Sequence, residues 1–245
     1  MGDEANCFYV ELLAVADREQ ALATHGPSFV DAAGQGRGLC GVRLRTERLS
    51  VAVAELSGRG AAFETSEVRD SAGALVCEVA RQADQGPCVV ELGLVQYAPS
   101  HALRYERRVA AGLTSHGFPL KRLDHLAAMA PDLDGQMRYW TDVLGVPLYG
   151  EVRSPVMVIR QFKIGDAIVE LLGPATADSP IARRPAGLAS MTAFEVPNLD
   201  AAVALARERG FTPSEPGTGA LPGTRTATIP AAELSGLALQ LLEYL

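Results

Sequence analysis

The chain has 245 residues, enough for one large domain or two of ordinary size, and 48% hydrophobic against 21% charged residues is the balance of a globular protein. A formal net charge of −7 argues against a nucleic-acid partner or an anionic membrane surface, since both are held by cationic faces. No apolar run approaches the roughly 20 residues of a membrane span, and the opening MGDEANCF lacks the basic-then-apolar pattern of a secretory leader.

Four cysteines, Cys7, Cys40, Cys77 and Cys88, show no CxxC spacing. They read as buried free thiols in a reducing, cytoplasmic setting. Cys7 to Val15 reads as a strand with Glu11 among apolar neighbours. A short helical piece follows over Asp17 to Thr24, then a glycine-rich loop over Gly34 to Gly41. Leu39 to Leu44 is expected as a strand. Leu49 to Gly60 is expected as a helix with Val53 and Leu56 inward and Gly60 at its stop. Strands follow, the last of them Cys88 to Val95. Ala98 to Pro119 reads as a linker holding His101 and His116 on its surface, with Leu103, Arg107 and Val109 able to ride a short helix.

Leu123 to Gly145 then carries the most structured pattern. A short apolar strand holds His125, Pro131 to Asp134 make a turn whose acids can cap a helix, and Met137, Trp140, Val143 and Leu144 recur at helical spacing before Gly145. Further on, Asp166 to Gly173 reads as a strand, Leu199 to Gly210 as a helix and Leu237 to Tyr244 as the last strand. Pro216 to Gly223 is a loop able to lid whatever the sheet encloses.

These elements repeat. Val10-Glu11-Leu12-Leu13 matches Val169-Glu170-Leu171-Leu172 at an offset of 159. The helix at Leu49 matches that at Leu199 at 150, and Val90-Glu91-Leu92 aligns with Leu239-Gln240-Leu241 at 149. Three near-equal offsets in the same order mark a tandem repeat. The second copy, residues 120–245, is complete. The first, residues 1–97, starts at its fourth strand and lacks a counterpart of His125, either as a natural truncation or because the true start lies further upstream.

The strand, PDLD turn and YWTDVLG helix end of residues 123–145 resemble the opening of a module in the vicinal-oxygen-chelate (VOC) superfamily, the glyoxalase, bleomycin-resistance and dioxygenase-like proteins. The resemblance implies an α+β fold of tandem βαβββ modules forming cupped half-barrel sheets, with the first copy truncated at its N-terminus. It also implies a divalent metal (Zn, Ni, Fe, Mn or Co) held in the cup by a first-strand His, a fourth-strand Glu or Gln, a fifth-strand His and an eighth-strand Glu. His125 and Glu170 match the first two positions. Met191 stands where the second His belongs, and Gln240 where the last Glu belongs; a thioether and an amide are weak ligands for such ions. Glu91 of the first copy aligns with Gln240, so His125, Glu170 and Glu91 form a candidate metal site across the copies, with Glu170 and Glu91 as candidate proton-transfer groups. Glu91 has a structural alternative, a cross-strand pair with Arg43 or Arg45.

Two functions follow from the resemblance. One is a metal-dependent isomerase, lyase or dioxygenase acting on a small oxygen-bearing substrate. The other is a metal-free protein that binds or sequesters a small molecule. The expected partners are that small molecule and, in a homodimer, a second copy, with no nucleic acid and no membrane.

Overall fold

The computed structural model describes residues 14–25, 27–34, 39, 41–83, 88–114 and 117–245. The strand expected over Cys7 to Val15, with Glu11, lies almost wholly outside the described residues, as do Cys40 and His116. No described helix is long and apolar enough to cross a membrane.

Two short helices, α1 (Arg18–His25) and α2 (Pro27–Gly34), come first and close on a small core of Ala21, Phe29 and Val30. A βαβββ unit follows: β1 (Val42–Arg45), α3 (Leu49–Gly58), β2 (Phe63–Arg69), β3 (Leu75–Gln82) and β4 (Leu92–Tyr97). Its four strands run in the order β1-β4-β3-β2, with β1 parallel to β4. Because β1 and β4 are parallel, the chain needs a crossover, and α3 supplies part of it. α3 buries Leu49, with Val53 and Leu56 packed against Ala80 and Leu94 of the sheet. These are the inward positions that the helical spacing predicts. Gly60, at φ +97°, follows the helix. The last strand of the unit, β4, begins at Leu92, later than the expected Cys88. Cys88 itself is buried in the approach to it.

The segment joining the two halves contains α4 (His101–Ala110), whose Ser100 hydroxyl accepts the Leu103 N–H. None of its residues is buried, and His101 is half-buried rather than solvated.

Residues 122–244 build two more βαβββ units into one curled half-barrel sheet of eight strands. The first has β5 (Arg122–Met129), α5 (Leu133–Arg138), β6 (Leu148–Arg153), β7 (Met157–Ile164) and β8 (Ala167–Pro174). The second has β9 (Gly187–Glu195), α6 (Leu199–Glu208), β10 (Gly217–Thr218), β11 (Thr224–Ile229) and β12 (Ala238–Tyr244). The strand order is β10-β11-β12-β9-β5-β8-β7-β6, so the units meet where β5 runs antiparallel to β9. The single βαβββ unit of the N-terminal half has the strand order and the parallel first and last strands of the second of these.

The pattern from His125 to Gly145 folds largely as it reads. Asp132 caps α5 by accepting the Gly135 N–H at 2.9 Å. One feature departs from it: the helix does not stay α-helical to its end. A π-helical turn over Tyr139–Val143 closes on the Leu144 N–H to Tyr139 carbonyl bond, and the Thr141 hydroxyl bonds back to the Met137 carbonyl. The wider turn buries Tyr139 and Trp140 together. Gly145 then takes φ +71°, and a Cβ there would lie 2.1 Å from the Arg59 guanidinium. Only glycine satisfies both conditions.

Strand alternation sorts β8 into two faces. Val169 and Leu171 point to the helix side and join one core with Ala128, Phe162, Tyr139 and Trp140. Cys88, Val90 and Leu92 of the N-terminal unit enter the same core. Two hydrogen bonds fix the junction, Val89 N–H to Gln136 Oε1 at 3.0 Å and the Gln82 amide to the Tyr139 hydroxyl. Ile168, Glu170 and Leu172 therefore face the hollow side, where Leu172 packs with Ala127 and Ile159. Leu239 and Leu241 of β12 lie against α6, which turns Gln240 to the hollow side.

Trp140 is fully buried, with its ring centroid 5.0 Å from that of Phe162. Trp140→Ala is expected to lower stability by about 3–5 kcal/mol, read from urea unfolding of the whole chain. We propose residues 98–119 as the connector between the halves. Limited proteolysis is then expected to nick there before it cuts α6, whose Leu199, Ala202, Val203 and Ala206 are buried.

Candidate functional site

The floor of the cup is built around one irregularity. In the β5–β9 ladder Leu123 sits opposite Phe194 and His125 opposite Ala193, so Asp124 is an extra residue, a β-bulge. The bulge breaks alternation and lets consecutive residues share polar surroundings. Asp124 is 1% exposed. Its Oδ2 accepts from Arg122 Nη2 and from the Tyr244 hydroxyl, each at 2.9 Å, and its Oδ1 lies 2.9 Å from His125 Nδ1. Burial alone would raise its pKa, but the bonds from His125 and Tyr244 and the nearby cations outweigh it and hold the carboxyl below its ordinary range. An ionised carboxylate only accepts, so His125 Nδ1 carries the proton and Nε2 faces into the cup.

His125 Nε2 lies 3.8 Å from Glu170 Oε2. The other oxygen of Glu170 accepts the Gln161 amide at 2.8 Å. Gly150 makes room for that amide, since a Cβ at residue 150 would fall 2.7 Å from Gln161 Oε1. Burial disfavours the charged form of His125, yet the Asp124 bond and the Glu170 charge prevail and raise its pKa above the ordinary imidazole value.

Beside this group, buried Glu195 takes Lys121 and the Arg122 Nε on its two oxygens. Its pKa is pushed up by burial and down by these cations, and the cations win. Tyr244, half buried and held against Asp124, is pushed up to about 12 by burial and by that negative charge.

The structure thus brings His125 and Glu170 together, as the resemblance implies. Glu91 lies just before β4, with its carboxylate 3.6 Å from Arg43 Nη2, the pairing named above as its structural alternative. Met191 sits on β9 opposite Ala238, and Gln240 on β12 opposite Ala193. Cys77 and Cys88 are buried free thiols, as expected, and burial drives the Cys88 pKa up to about 11. Sequence reasoning did not single out Asp124, Gln161, Arg122 or Tyr244. For Asp124 the reason is physical: regular alternation places it on the opposite face from His125, and only the bulge reverses that. Gln161 had a usable signal, since it stands two residues before Lys163 at the hollow-side parity of β7.

The metal implied by the resemblance can be tested against these side chains. Ligand bonds of about 2.0–2.2 Å put two donors of one ion roughly 3–4 Å apart, which the 3.8 Å between His125 and Glu170 satisfies. A carboxylate behind the far ring nitrogen is the usual support for a ligating histidine, and Asp124 provides it. Among the described residues, no three His, Cys, Asp or Glu side chains gather closely enough to hold an ion together. The pair fits two ligand positions.

Residues 124–228 match the family model described as the Glyoxalase/Bleomycin resistance protein/Dioxygenase superfamily. The chain is 34% identical over 117 residues to the mitochondrial methylmalonyl-CoA epimerase of Bos taurus, covering 42% of this chain and 65% of that one. It is 37% identical over 94 residues to the mitochondrial methylmalonyl-CoA epimerase of Mus musculus, covering 34% and 51%. It therefore spans about two thirds and about half of these relatives. The crystal structure of methylmalonyl-CoA epimerase from Mycobacterium tuberculosis is similar at 23% identity and TM-score 0.48, covering 54% of this chain and 93% of that one.

The depressed pKa of Glu195 gives a signed pH dependence. Its stabilisation is complete above the unfolded carboxylate pKa of about 4.3 and is lost as pH falls through the lower folded value. The stability gap between wild type and Glu195→Gln, measured by urea unfolding, is expected to be constant above about pH 5 and to shrink below about pH 4.

Proposed function

From a C-terminal half whose residues 124–228 belong to the glyoxalase, bleomycin-resistance and dioxygenase superfamily, we propose that this chain is an isomerase-type enzyme that moves a proton on the carbon beside a carbonyl. Its substrate is a small oxygen-bearing acid or acyl thioester of the kind named for its relatives. The observation that carries this reading is the opposition of Glu170 and His125 across 3.8 Å on the floor of the cup, each with its far side already held.

Glu170 is the base. Gln161 fixes one of its oxygens, leaving the other directed at the space shared with His125 Nε2, where a substrate C–H can be presented. His125, kept by Asp124 in the tautomer that leaves the Nε2 lone pair facing the cup, can accept from a substrate hydroxyl or hold an ion that would polarise the substrate oxygen. Epimerisation returns the proton on the opposite face from a second group; Glu91, held by Arg43 in the unit packed against the far side of the sheet, does not supply it.

A divalent ion held by His125 and Glu170 would act as a Lewis acid on the substrate carbonyl. The alternative reading, a metal-free binding protein, is favoured by Met191 and Gln240, which occupy hollow-side positions where stronger ligands would stand.

With methylmalonyl-CoA in D₂O as probe, wild-type protein is expected to exchange the α-proton, followed by ¹H NMR. Glu170→Gln should slow exchange by about 10²–10⁴-fold. Unchanged exchange in Glu170→Gln would remove Glu170 from the reaction, and no exchange by wild type with any metal would favour the binding protein. His125→Ala is expected to abolish metal binding, assayed by metal content after dialysis, whereas Gln240→Ala should leave it largely intact. Asp124→Asn, which removes the carboxylate behind His125, should weaken metal affinity about 10–100-fold.

A further inference from the structure

A cavity of about 430 Å³ opens on the hollow side of the sheet, lined by Arg122, Tyr149, Lys163, Asp166, Ile168 and Tyr244. It continues the floor that carries His125 and Glu170. Ile168 is the register partner of His125 and stands two residues before Glu170 on the same strand face, a step of roughly 7 Å. Tyr244 and Arg122 reach from this cavity to Asp124.

The two cations of the cavity differ. Arg122 is committed to Glu195, to Asp124 and to the carbonyl of Asp166. Lys121 and Lys163 are the only lysines in the chain, and Lys121 is bound to Glu195. Among the described residues Lys163 forms no ion pair; its ammonium stands 5.5 Å from the centroid of the Tyr149 ring. Tyr149 and Tyr244 are 60% and 44% exposed and face the cavity from different strands. Each ring already has a cation near it, Lys163 at Tyr149 and Arg122 at 5.8 Å from the centroid of Tyr244, and with an ammonium outside any ion pair they suit a flat body bearing one negative group. Asp166, also on the wall, opposes a second negative charge.

We propose that this cavity is an anion subsite of the cup, in which Lys163 holds the carboxylate or phosphate of a substrate whose flat portion lies against Tyr149 and Tyr244. The inference rests on the reading of the cup as a substrate site, and it adds that the substrate carries an anionic group roughly one strand step from the reacting carbon. Lys163 acts by binding, with Glu170 left to the proton.

Isothermal titration of the whole chain with phenyl phosphate, benzoate and neutral benzyl alcohol tests this. At least one anion is expected to bind wild type more tightly than benzyl alcohol. Preference for phenyl phosphate identifies the group as a phosphate, and preference for benzoate as a carboxylate. Lys163→Met should weaken the preferred anion by about tenfold or more, the loss of one charge-assisted hydrogen bond, without changing benzyl alcohol. Lys163→Arg should retain the affinity within about threefold, and Asp166→Asn should tighten it. Anions that bind no better than benzyl alcohol, or an affinity unchanged in Lys163→Met, would overturn the subsite. Glu170→Gln is expected to keep the anion affinity. Absence of proton exchange in wild type, with Lys163-dependent binding intact, would therefore sink the proton-transfer reading alone.

Discussion

Asp124 is a carboxylate withdrawn from water at the seam where the two C-terminal βαβββ units meet, and the cup depends on how its charge is met. An unpaired buried carboxylate would cost several kcal/mol. Here Arg122, Tyr244 and His125 each bring a donor, and Arg122 is itself balanced by Glu195. The network draws on β5, β9 and β12. It therefore ties the two units together through a set of bonds that works only when their register is correct. Loss of any one member would leave another buried ion partly unmet, so the group acts as a unit.

The same network fixes the pair to which the proposed proton transfer is assigned. Asp124 sets the tautomer of His125, and the free face of that ring then meets Glu170, which Gln161 holds from the other side. Two side chains are thus fixed from behind and left open toward each other. Preorganisation of this kind keeps reacting groups in place without reordering them during the reaction. It also explains the tolerance for a polar floor: each buried group has its partner.

The N-terminal βαβββ unit contributes differently. Its Cys88, Val90 and Leu92 share a core with Trp140 and Phe162 on the far side of the sheet from His125. Burial of Trp140 thus couples the two halves through packing, while the Gln136 and Tyr139 bonds to Val89 and Gln82 set their alignment.

Much was legible in the sequence. Helical spacing placed α3 and α6, the acid of the PDLD turn capped α5, and the 150-residue offset related Leu49 to Leu199 as starts of equivalent helices. His125 and Glu170 were singled out by the resemblance, which rests on short-range motifs of their strands whose spacing the fold keeps. The partners of those residues were not. Asp124 reaches the cup through a bulge in the pairing with β9, and Tyr244 meets it from 120 residues away. The π-helical turn at Tyr139 and the pairing of Glu91 with Arg43 arise in the same way, from contacts made after the chain has closed. Local periodicity determined the elements, and the resemblance pointed to the two facing side chains; register and long-range charge balance, which exist only in the folded sheet, decided what holds them.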